Sequence, residues 1–131
     1  MTDIAARSAA RPALKSITPI LRARDVAASA AFFEHQLGFA VDFRWGSPLS
    51  YAGVSRDGVC LHLNGTAGAP ATGDQALIPA TIEVSNLQAL FDEFSTRGVA
   101  FRQPPTRQEW GGTDFLLADP DGNVPSFVSF D

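Results

Sequence analysis

Apolar positions change their period along this chain, and each change marks an element. From Ile17 to Ala23 they alternate, with Pro19, Leu21 and Ala23 on one face and Thr18, Ile20 and Arg22 on the other, which predicts a first strand. Pro19 inside it points to an edge, or to a hinge where the strand leaves its own subunit. The period then lengthens. Val26, Ala30, Phe33 and Leu37 recur at helical spacing behind Asp25, a capping residue, and Gly38 supplies a left-handed C-terminal position. Phe39 to Trp45 alternates again, placing Val41, Phe43 and Trp45 on one face and Asp42 and Arg44 on the other. Turns at Gly46-Ser47-Pro48 and Arg56-Asp57-Gly58 bound two more strands, Tyr51 to Ser55 and Val59 to Leu63.

From Gly65 the chain becomes Gly, Ala, Thr and Pro without a period, which predicts a linker over 65–75. The pattern then repeats. Ala76 to Val84 reads as a strand, and Asn86 caps a helix carrying Leu87, Leu90, Phe91 and Phe94 on one face. Gly98 ends that helix, Val99 to Gln103 is a strand, and Pro104-Pro105 breaks it. An alternating run, Phe115 to Ala118, meets Asp119-Pro120-Asp121-Gly122-Asn123, a turn sequence, and Val124 to Phe130 returns as the last strand. Asp25 superposes on Asn86, Phe33 on Phe94 and Gly38 on Gly98, a repeat of about sixty residues. The expected fold is α+β: duplicated β-α-β-β-β modules, 17–64 and 76–130, in one domain of residues 17–131. Residues 1–16, rich in Ala, Arg and Ser and interrupted by Pro12, are expected to be a disordered tail. Each module covers one sheet face with its helix and leaves the other concave, so two modules, from one chain or two, make a cup of curved mixed sheet.

Composition narrows the function. The 131 residues are 45% hydrophobic with a net charge of −4 and scattered basic residues, so nucleic acid and anionic membrane surfaces are not expected partners. That field favours a cationic small molecule. The single Cys60 excludes an intrachain disulfide, and no stretch suggests a signal peptide or a membrane span, so a cytoplasmic location is expected.

Candidate chemistry is sparse. His35, near a helix end, reads as a surface residue; His62 faces the cup with Cys60 and Asn64, either lining a pocket or held by a structural hydrogen bond. Cys60 reads as a small buried filler. Phe33, Phe91, Phe94, Phe115 and Phe127 belong to the core. Tyr51 and Trp110 stand at rims beside turns, either to contact a flat ligand or to pack, and Phe43 and Trp45 either line the cup or fill it. Arg22 and Glu83 occupy equivalent places in the two halves, and an internal salt bridge between them is expected. No Ser-His-Asp set, phosphate-cradling glycine loop or paired-carboxylate spacing occurs.

Several segments in this order carry a resemblance. They are Thr18 to Ala27, Phe32-Phe33, Leu37-Gly38-Phe39, Asp42-Phe43, Tyr51 to Asp57, Trp110-Gly111, Phe115 and Asp119 to Asn123. Together they resemble the vicinal oxygen chelate superfamily, in its bleomycin-resistance and glyoxalase-like branch, over about Ile17 to Phe130. The resemblance implies one of two functions. Enzymes of the superfamily hold a divalent metal in the cup with His and Glu ligands and use it as a Lewis acid. Antibiotic-resistance members are dimers that bind the drug without metal or catalysis. At the four implied ligand positions stand Thr18, His62 (Cys60 in another register), Pro79 and Ser126, so no metal and no cofactor are expected. The implied function is a non-catalytic, metal-free protein that binds and sequesters a planar, cationic small molecule such as an antibiotic. Phe43, Trp45, Tyr51, His62 and Trp110 would be its ligand-binding residues, in two crevices of a homodimer that exchanges its first strand near Pro19. The alternative is a metal-dependent lyase, isomerase or dioxygenase. Gly46-Ser47-Pro48 stands where the resistance proteins carry acidic residues.

Overall fold

A computed structural model describes residues 11–66 and 78–131. The first ten residues of the expected tail, most of the linker and the start of the strand placed at Ala76 lie outside them. The elements run β1 (Ile20–Arg22), α1 (Val26–His35), β2 (Ala40–Trp45), β3 (Tyr51–Arg56), β4 (Val59–Asn64), β5 (Thr81–Glu83), α2 (Leu87–Thr96), β6 (Phe101–Arg107), β7 (Thr113–Leu117) and β8 (Ser126–Ser129). The duplication is therefore real: each half builds its own four-stranded mixed sheet, ordered β1-β4-β3-β2 and β5-β8-β7-β6. Within each, the first strand runs parallel to the last and the other pairs are antiparallel. In the single chain, β1 pairs with its own β4, Ile20 opposite His62.

Both helices end as their glycines dictate, since Gly38 and Gly98 take φ of 74° and 77°. There, Phe39 N–H reaches Phe33 O at 2.9 Å and Val99 N–H reaches Phe94 O at 3.2 Å. Their starts differ. The Asp25 carboxylate accepts from Ala28 N–H at 3.1 Å, a true N-cap. Asn86 occupies the equivalent position but sits left-handed at φ 55° and makes no side-chain cap, contrary to expectation. Asn tolerates that backbone region, so the residue serves the turn and not the helix.

Two strands also depart from simple alternation. The β2–β3 register shifts between Val41 and Phe43, so Val41 opposes Val54 and packs on the core, while Phe43 opposes Gly53 and Trp45 opposes Tyr51 on the other face. A bulge at Asp42 thus separates residues expected to share a face. β6 continues through Pro104 and Pro105, where a break was expected. It is the outermost strand of its sheet and carries two register shifts, the positions at which missing N–H groups are tolerated.

The core lies between each helix and its sheet. Phe33 meets Phe32 and Phe39 edge-on at 5.5 Å, and Phe115 meets Phe91, Phe94, Phe101 and Phe127 with centroids 5.1 to 6.0 Å away. Loops join the halves. In the Asp119-to-Asn123 turn, Asp119 Oδ1 accepts from the Asp121 and Asn123 amides at 2.9 and 2.8 Å. The turn then reaches across: Asp121 accepts from Arg24 N–H at 2.9 Å, and Asn123 Nδ2 donates to Arg22 O at 2.8 Å. At a second tie, Arg56 donates to both oxygens of Glu93 at 2.8 and 3.0 Å, and Arg97 adds a third bond at 2.9 Å.

These ties give the fold a specific acid response. Hydrogen bonds from Arg56, then its charge and that of Arg97, hold the Glu93 carboxyl below its ordinary value against the opposing effect of burial. Its contribution is present above the unfolded-state pKa and is lost as pH falls through the folded one. Burial pushes Asp119 the other way, so its contribution is present at low pH and fades as pH rises through its raised pKa. Glu93→Gln is therefore expected to cost about 1 kcal/mol at neutral pH. The cost should shrink in acid, as read from urea melts at both pH values.

Candidate functional site

On the first sheet, Leu21, Ala52, Val54, Leu61 and Leu63 are buried under α1, so their neighbours face away from it. Those neighbours form rows. One runs Ile20, His62, Gly53, Phe43; the next runs Arg22, Asn64, Tyr51, Trp45. Four of the five residues expected to touch a ligand therefore share one helix-free surface.

Three of them form a unit. The Phe43 and Tyr51 rings lie nearly parallel, 6.1 Å apart at 16°, and the His62 imidazole stands edge-on to both at 5.3 Å. The Tyr51 hydroxyl is 2.9 Å from His62 Nδ1, donating to it when that nitrogen carries no proton. This bond fixes the imidazole and consumes one of its two nitrogens. Gly53 makes the packing feasible, because a Cβ there would overlap the Phe43 ring. Gly53→Ala is accordingly expected to push Phe43 off Tyr51 and His62, weakening ligand binding while costing about 1–3 kcal/mol of stability. Calorimetry beside urea melts separates the two effects.

Trp45 extends this surface. With Phe43, Arg44, Ser50, Tyr51 and Thr66 it lines a crevice of about 360 Å³. Trp110 does not join the group: it sits in the turn between β6 and β7, where its ring lies against Gly112 and 5.9 Å from Phe130. Trp45 and Trp110 keep 68% and 59% of their surfaces in solvent, so neither serves the core. Asp114, buried between Gln103 and Gln108 at 2.7 and 2.9 Å, anchors the loop that presents Trp110. Phe130, 57% exposed, was missed as a candidate; it continues the alternation of Ser126 and Val128 and was legible from it.

Two expectations fail here. Cys60 is exposed, not a buried filler, because alternation in β4 gives the inward place to Leu61 and sets Cys60 on the His62 side. Arg22 and Glu83 form no ion pair among the described residues; both are exposed, on separate sheets. His35 is a surface residue 3.4 Å from Glu34, as expected. Phe33, Phe94, Phe115 and Phe127 are buried, and Phe91 packs against them.

The donor atoms do not suit a resident divalent cation. Of the four positions implied by the resemblance, Thr18 and Ser126 offer neutral hydroxyls, Pro79 offers no side-chain donor, and His62 is bonded to Tyr51. A stable site needs about three or four ligands, and among the described residues no three His, Cys, Asp or Glu side chains gather.

Comparison with known proteins agrees with this architecture. The model of the glyoxalase/bleomycin resistance protein/dioxygenase superfamily matches residues 13–127. No curated protein sequence matches at a significant level. Among solved structures, a glyoxalase/bleomycin resistance protein/dioxygenase from Alicyclobacillus acidocaldarius superposes with a TM-score of 0.77 at 19% identity, covering 89% of this chain and 92% of that one. A bleomycin resistance determinant encoded on the transposon Tn5 gives 0.74 at 24% identity, covering 88% and 98%. The bleomycin-binding protein of Streptomyces verticillus, a bleomycin producer, was solved with copper(II)-bleomycin and gives 0.71 at 26% identity, covering 92% and 100%. With a family model spanning both modules and the same fold in these structures, the chain belongs to the glyoxalase/bleomycin resistance protein/dioxygenase superfamily.

Proposed function

We propose that this protein binds and sequesters a flat small molecule, of the antibiotic class, without metal and without converting it. The observation that carries this reading is the Phe43–Tyr51–His62 cluster on a helix-free face. It presents ring faces and edges, which hold a planar guest by stacking worth about 0.5–1.5 kcal/mol per pair beyond area burial. It offers little for bond-making. The one imidazole of this face is tied to a phenol.

The likeness to a protein solved with copper(II)-bleomycin supports a binding role. Dimerisation belongs to the same reading. Trp110 and Phe130 expose a second aromatic surface on the other sheet, and setting it against the Phe43 face of a second copy would close a crevice between two aromatic walls.

The test is titration of planar aromatic antibiotics, bleomycin among them, followed by tryptophan fluorescence, with the drug recovered and weighed by mass spectrometry. Saturable quenching with the drug unchanged is the expected result. A changed mass would make the protein an enzyme.

A further inference from the structure

We infer that the guest of this face carries an anionic group, received by Arg22; the inference rests on the flat-guest reading above. The whole chain is acidic, with a net charge of −4, and a cationic guest would follow from that diffuse field alone. The face itself has the opposite sign. Arg22 lies beside Asn64, Asn64 beside Tyr51 and Tyr51 beside Trp45, one row across all four strands of the sheet. Leu21, next to it, is buried under the helix, so Arg22 stands with the aromatic residues and is exposed.

Among the described residues no carboxylate pairs with it. Among the described residues neither Arg22 nor Arg44 enters an ion pair, and Arg44 is the one charged residue lining the crevice beside Phe43, Trp45 and Tyr51. The single acid on the four strands is Asp42, which accepts from Ser55 Oγ at 3.0 Å at the bulge of the outer strand. A guest on this face thus meets the Arg22 guanidinium and no unpaired carboxylate from the strands of this sheet.

Proximity decides which field wins. Exposed charges are screened beyond about 8 Å in physiological salt, so the scattered acids of the surface act weakly at this face. A guanidinium in contact is screened far less than those distant acids and presents a planar fork matched to carboxylate, sulfonate or phosphate oxygens. The ligand class that fits is a flat aromatic acid, its ring on Tyr51 and Phe43 and its anionic group on Arg22.

The test uses three probes that share one ring system: naphthalene sulfonate, naphthalene methanol and naphthyl trimethylammonium, each titrated by calorimetry into the wild-type protein, Arg22→Gln and Arg44→Gln. The sulfonate is expected to bind about tenfold more tightly than the trimethylammonium, the worth of one charge-assisted hydrogen bond. Arg22→Gln should erase that preference and leave binding of the neutral probe unchanged. Equal or tighter binding of the cation overturns the inference while the flat-guest reading stands, and so does a sulfonate preference that survives Arg22→Gln. If none of the three binds, the flat-guest reading falls and takes the inference with it. Urea melts establish that each variant is folded.

Discussion

Phe115→Ala is expected to remove about 3–5 kcal/mol of stability, the usual cost of truncating a fully buried phenylalanine. Phe115 has no solvent-exposed surface, and its ring touches four others, one from each of β6 and β8 and two from α2. Its removal leaves a void between helix and sheet that those rings cannot all close at once, because each is also fixed to its own element. Domains of this size are stable by roughly 5–15 kcal/mol, so the variant should lie near the edge of folding. Urea denaturation with the slope held common to both proteins reads the loss. A loss below about 1 kcal/mol would mean that the second module does not depend on this cluster.

Tyr51→Ala should have the largest effect on binding of any single change on the aromatic face. The ring is only partly buried, so the fold loses little, but a guest loses a stacking surface and its buried area, together about 2 kcal/mol or near thirtyfold in Kd. Tyr51→Phe keeps the ring and deletes only the bond to His62 Nδ1. It should change Kd by less than about threefold. Calorimetric titration of both variants distinguishes stacking from hydrogen bonding: equal losses in the two would assign the binding energy to the hydroxyl.

Much of this architecture was legible because it depends on local periods and turn chemistry. Asp25, Gly38 and Gly98 mark helix boundaries by backbone requirements that few residues meet, and the Asp119-to-Asn123 turn folds on its own side chains. That His62 faces away from the helix followed from alternation within β4, while its meeting with Tyr51 is set by the β3–β4 register. What the residues did not reveal depends on pairing between strands. The bulge at Asp42 sends Val41 to the core and Phe43 outward, a choice made by register with β3 and invisible in β2 alone. Strand order likewise decides that Pro104 and Pro105 lie on an edge, where they continue a strand instead of ending it. The expected Arg22–Glu83 bridge failed for the same reason, since equivalent positions in two modules belong to two different sheets.

The role assigned to the face makes chelation the decisive perturbation. Calorimetric titration of the tightest-binding planar aromatic antibiotic into protein freed of metal with EDTA tests it most directly. The same Kd before and after chelation is expected, because ring faces and not ions hold the guest. Binding that disappears with EDTA and returns on adding a divalent cation would contradict the account and place a metal centre in the cup.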